Sequence, residues 1–115
     1  MEMQHEIKDG VLVIYLKGHL LGAQANTIVM GLVLQNVEVG NKKILFNLEG
    51  VNYVDSAGLG MLLSSSSKIK NAGGVLVICA LSEQVAKLLK TTKFESVFRI
   101  QPNETAGLDF FKTLG

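Results

Sequence analysis

The sequence holds no tryptophan, a single proline and a single cysteine in 115 residues. Each scarcity excludes something. One cysteine, Cys79, cannot build a disulfide framework or a thiolate metal site within the chain. A reducing, cytoplasmic setting is therefore expected. No Lys/Arg cluster is interleaved with aromatics, and the formal net charge is +1. Direct nucleic-acid binding is thus not expected. His5 and His19 are the two histidines, and neither sits beside Cys79 in sequence. The Gly-x-Ser-x-Gly elbow of serine hydrolases is missing. Gly58-Leu59-Gly60 starts like a dinucleotide fingerprint but lacks the third glycine, and there is no P-loop. The acidic residues do not fall at metal-ligand spacing. An enzymatic role, a cofactor and a metal are therefore not expected.

The longest stretch without charge runs from Gly18 to Val37. Gln24, Asn26, Gln35 and Asn36 interrupt it, whereas a spanning helix needs about 20 mainly apolar residues. Membrane insertion is not expected. The opening Met-Glu-Met-Gln-His-Glu has neither the basic start nor the apolar block of a signal peptide.

What is present describes a folded chain. Hydrophobic residues make up 48% and charged residues 18%, a balance that excludes intrinsic disorder. The length suits one domain over residues 1–115. Asp9-Gly10 signals a tight turn between an opening strand ending at Ile7 and the β-branched run Val11–Leu16. Lys43–Leu48 and Val75–Cys79 read as buried strands, and Val97–Ile100 as a short last strand. Cys79 is expected to be a small core residue.

Helical patterns fill the gaps. Ala57–Ala72 puts Leu59, Leu62, Leu63, Ser66 and Ile69 on one face. Ser82 caps a helix ending in lysines, and Asn103 caps the last one. The order β-β-α-β-α-β-α-β-α predicts an α/β fold. Its sheet has about five strands, mixed but largely parallel, with an antiparallel N-terminal hairpin at one edge and about four covering helices. The helix near residues 23–37 is apolar over roughly two-thirds of its circumference, where packing on a sheet needs a stripe nearer ~100°. The excess is either buried under neighbouring elements or exposed for a partner. On the second reading Met30, Val33, Leu34 or Val37 lie in a self-association or partner surface, with a homodimer as one form of it.

The chemistry-bearing stretch is Asp55-Ser56-Ala57-Gly58-Leu59-Gly60. Strand 43–48 leads through a connection into a helix starting near Ser56. Asp55 or Ser56 caps that helix, a bond worth ~1 kcal/mol. Gly58 and Gly60 each cost roughly 1 kcal/mol relative to alanine in a helix interior. Such a cost calls for close approach of another backbone or of a partner. A helix N-terminus also welcomes a phosphate through its free N–H groups and its dipole.

The stretch Asn47 to Gly60 resembles the signature of the STAS family, and within it the bacterial anti-sigma factor antagonists. The similarity continues through Lys68–Gly74, Val77–Cys79, Val85–Leu89 and Val97-Phe98. It implies a phosphorylation-controlled binding module working by partner switching. The unmodified antagonist would bind a partner that is both anti-sigma factor and serine protein kinase, releasing a sigma factor. Phosphorylation of Ser56 would block binding, and a phosphatase would restore it. The resemblance places Asp55, Ser56, Ala57, Gly58, Gly60 and Met61 in or beside the docking surface. Many relatives carry an acidic residue at a position filled here by Leu21, which implies a different contact there. The alternative within the family is a non-switching adaptor subunit of a transporter or signalling scaffold. A small nucleotide-binding α/β domain is the least favoured reading.

Overall fold

Asp9 and Gly10 both take positive φ, 52° and 76°. These are the backbone angles that let a two-residue turn follow the twist of its strands. The turn joins β1 (Glu2–Lys8) to β2 (Val11–Leu20) as an antiparallel hairpin, with Lys8 opposite Val11. In the computed structural model, residues 2–20 and 22–114 are described, the side chains of residues 22–26 excepted. The chain continues as α1 (Gly22–Glu38), β3 (Lys43–Val54), α2 (Ser56–Asn71), β4 (Val75–Cys79), α3 (Glu83–Thr91), β5 (Arg99–Gln101) and α4 (Glu104–Thr113). The sheet order is β1-β2-β3-β4-β5, and every pair after the hairpin is parallel.

Because the strands are added in sequence order, right-handed crossovers place α1, α2 and α3 on the same face. The packing shows this division. Leu12, Ile14, Ile44, Phe46 and Ile78 face the layer holding Val29, Val33, Leu62, Ile69 and Leu89. The alternate residues Val11, Val13, Leu45, Val77 and Cys79 face the other way, onto Phe111 of α4. Both faces of the central strands are covered. They therefore read as continuous apolar runs rather than alternating ones.

The structure departs from the sequence expectations in several places; β2, for one, runs past Leu16 to Leu20. β3 does not stop at Leu48. It runs to Val54, paired with β2 through two register shifts. Val51 and Val54 turn inward while Asn52 and Tyr53 stay exposed, so the expected connection is a strand extension. The last strand begins at Arg99, because a turn with Val97 N–H donating to the Phe94 carbonyl (3.0 Å) occupies the preceding residues.

The buried face of α2 comprises Gly58, Leu59, Met61, Leu62, Ser65 and Ile69. Leu63 and Ser66 are only partly covered. The face is rotated because α2 packs on both the sheet and α1. That packing also accounts for most of the apolar excess of α1. Val33 is fully buried in the core and cannot belong to a self-association surface. Met30 and Val37 are partly buried against the same core, with the Ser65 hydroxyl donating to the Met30 sulfur at 3.1 Å. Of the four residues, Leu34 is the exposed one.

Candidate partner-docking site

The carboxyl ends of β2 and β3 carry the site. Asp55 follows β3 directly and is extended, with φ −86° and ψ −178°. Its backbone N–H donates to the Leu20 carbonyl at 3.1 Å. Its side-chain Oδ1 accepts the Gly58 N–H at 2.7 Å, which caps α2. Asp55, not Ser56, is therefore the cap, and the two bonds join the start of α2 to the end of β2.

Gly58 completes this joint. A Cβ on Gly58 would collide with the Leu20 carbonyl oxygen and lie 3.1 Å from the Leu20 side chain. The glycine is needed for close backbone approach. It is buried, and the backbone it approaches is that of Leu20, one of the two causes its helix cost called for. Met61 is fully buried as well and cannot touch a docked partner. Gly60 differs from Gly58, since a Cβ there would meet nothing within 4 Å.

The surface that remains is small. Ser56 is the first residue of α2 and is exposed, as is Ala57, with Gly60 half-exposed one turn on. Because Asp55 supplies the cap, the Ser56 hydroxyl is left without a hydrogen bond among the described residues. No acidic residue lies in the first turn of α2. The positive end of the helix dipole is met by the capping Asp55 carboxylate. Leu21 lies outside the described residues.

Two features were not visible in sequence. The first is a groove of about 750 Å³ between the end of β3 and α3, beside the exposed Tyr53. The second is a polar cluster toward α4. Lys8 Nζ donates to Glu104 Oε2 at 2.7 Å, and Asn47 Nδ2 donates to Oε1 at 3.3 Å. Burial pushes the Glu104 carboxyl up, but hydrogen bonds from Lys8, Tyr15 and Asn47 outweigh it and hold the group below the usual range. The Lys8 ammonium is raised chiefly by its bond to Glu104. Residues 96 positions apart meet here, so only long-range packing reveals the cluster. It ties the hairpin to α4.

Burial pushes the Cys79 thiol up to about 12, so it stays protonated near neutrality and is a poor nucleophile. Among the described residues no group of His, Cys, Asp and Glu is placed to hold a metal ion, and no helix is long and apolar enough to cross a membrane.

Comparison with known proteins agrees with this architecture. A protein of Bordetella bronchiseptica assigned as an anti-sigma factor antagonist, BtrV, is 28% identical over 113 residues, covering 98% of this chain and 97% of its own. The anti-sigma F factor antagonist of Paenibacillus polymyxa is 27% identical over 108 residues, covering 94% of this chain and 91% of its own. The solved structure of the Bacillus cell fate determinant SpoIIAA in its phosphorylated form superposes with a TM-score of 0.74 at 20% identity, over 96% of this chain and 99% of that one. The sequence model of the STAS domain matches residues 2–107; the chain belongs to the STAS domain family, with relatives named as anti-sigma factor antagonists.

Proposed function

We propose that this protein is a cytoplasmic anti-sigma factor antagonist whose docking is switched by phosphorylation of Ser56. The observation that carries the reading is the division of labour at the start of α2. Asp55 caps the helix, leaving the Ser56 hydroxyl exposed and unbonded among the described residues. A phosphate there would add about −1.5 to −2 charges at the positive end of the helix dipole. The fold tolerates that charge, while a partner shaped to the bare serine does not.

Gly60 supports the same surface. Its cost of roughly 1 kcal/mol in a helix has no compensation from packing. Close approach of a partner's backbone supplies one. The docking surface is then Ser56, Ala57 and Gly60, with Asp55 and Gly58 holding it in place, and Leu21 as a candidate neighbour. The partners are an anti-sigma factor with serine kinase activity and a phosphatase that reverses the modification. The chain itself acts as a kinase substrate. Incubation with the cognate kinase and ATP should place one phosphate on Ser56, and Ser56→Ala should abolish it. Phosphate on another residue, or none, would overturn the switch.

A second reading rests on the exposed Ile28, Leu34 and Val39 in and just after α1. These exposed apolar side chains fit a non-switching adaptor, or a homodimer, that covers them. Sedimentation of a strict monomer, with no companion protein protecting those side chains, removes it.

A further inference from the structure

His19 and Tyr53 are register partners at the carboxyl ends of β2 and β3, with their rings 5.8 Å apart edge to face. Beside them lies the groove of about 750 Å³. Its floor is apolar, with Val54 and Val85 buried and Leu88 half-buried. Its rim carries Asn52, Gln84, Lys87 and Thr91, all exposed. None of these four side chains makes a hydrogen bond or ion pair among the described residues. No Asp or Glu is among the described residues lining the groove.

The groove opens at the carboxyl ends of β2 and β3 and runs along α3. Small-molecule sites of roughly 300–1,000 Å³ combine an apolar lining with a few orienting polar groups. Size and lining agree here. The charge is one-sided: Lys87 offers an ammonium, and no lining carboxylate opposes it. A cationic ligand would meet repulsion, and a wholly apolar one would leave Lys87 unused. An acid would pair with it.

We propose that this groove binds a small amphipathic organic anion. Its apolar body lies on Val54, Val85 and Leu88 against the Tyr53 edge, and its acidic head meets Lys87. The site is separate from the Ser56 surface in its chemistry and does not depend on the phosphorylation reading.

The test uses anilinonaphthalene sulfonate as the anionic probe and phenylnaphthylamine, the same ring system without the sulfonate, as the neutral one. Fluorescence titration of the whole chain should show saturable one-site binding of the sulfonate. Amide NMR shifts should centre on residues 52–54 and 84–91. Lys87→Gln should weaken the sulfonate by about three- to fivefold, the worth of an exposed ion pair, and leave phenylnaphthylamine unchanged. Gln84→Glu should act in the same direction. Both positions are exposed on α3, so unchanged melting curves are expected and certify the variants. Three results would overturn the proposal: no binding, sulfonate affinity unmoved by both substitutions, or shifts centred on Ile28, Leu34 and Val39. Ser56→Ala should bind both probes as the parent does, which separates this site from the switch.

Discussion

The carbonyl oxygen of Leu20 occupies the space that a Cβ on Gly58 would need. The same oxygen accepts the Asp55 N–H at 3.1 Å. The end of β2 therefore determines where α2 begins, and with it where Ser56 stands.

Gly58 and Gly60 should consequently respond in opposite ways to alanine. Gly58→Ala should destabilise the fold by about 1–3 kcal/mol, because rigid backbone opposes the new methyl. Gly60→Ala meets open space and should stabilise by up to about 1 kcal/mol through helix propensity. Chemical denaturation of the two variants measures both signs. A Gly60→Ala variant that is more stable yet docks more weakly locates a partner contact at that position.

Asp55 and Ser56 should separate structure from switching. Asp55→Ala removes the cap and should cost ~1 kcal/mol. Ser56→Ala removes no hydrogen bond among the described residues, and its melting temperature should stay within the scatter of a neutral surface change. Thermal unfolding of the two variants makes the comparison. A large loss at Ser56 would assign that residue a structural role instead.

The order of elements and the identities of the strands were legible because apolar runs and turn residues carry local information. The Asp9-Gly10 turn and the caps at Ser82 and Asn103 were each readable from a few adjacent residues, and each is formed. What failed needed the third dimension. Val33 and Met61 look alike to any periodicity argument whether a helix packs on one neighbour or on two. Their burial follows from α1 lying on α2, which no local pattern encodes. The extension of β3 to Val54 was hidden by Glu49-Gly50 and the polar Asn52, since its pairing is with β2 across a register shift. At the site, the motif indicated Ser56 but left the cap open between Asp55 and Ser56, and the need for Gly58 open between a backbone and a partner; the geometry gives the cap to Asp55 and the close approach to the Leu20 backbone.

The Glu104 cluster predicts a pH dependence on the acid side. A carboxyl whose folded pKa lies below its unfolded value stabilises the fold above that unfolded value, near 4.5. The contribution is lost as the pH falls through the folded value. Stability of the parent protein should drop as acid is added below that point. Glu104→Gln should already be weaker at neutral pH and show a flatter acid limb. Denaturation midpoints measured from about pH 7 down to about pH 3 test the sign; an unchanged slope in the variant would assign the acid sensitivity to other carboxylates.

Cys79 should behave as a core residue. With its thiol pushed up to about 12 by burial, it should resist alkylation by iodoacetamide in native buffer and react fully once the chain is unfolded. Labelling followed by mass spectrometry reads this directly. Rapid native labelling would place the thiol at the surface and contradict its packing against α4.

The most direct measurement of the central claim is a pair of calorimetric titrations of the cognate anti-sigma factor, one with the unmodified protein and one with protein phosphorylated at Ser56. The account predicts tight binding by the first and a loss of about a hundredfold or more by the second, as a dianion is forced against a surface fitted to a hydroxyl, with melting temperatures nearly equal. Equal affinity of the two forms would contradict it.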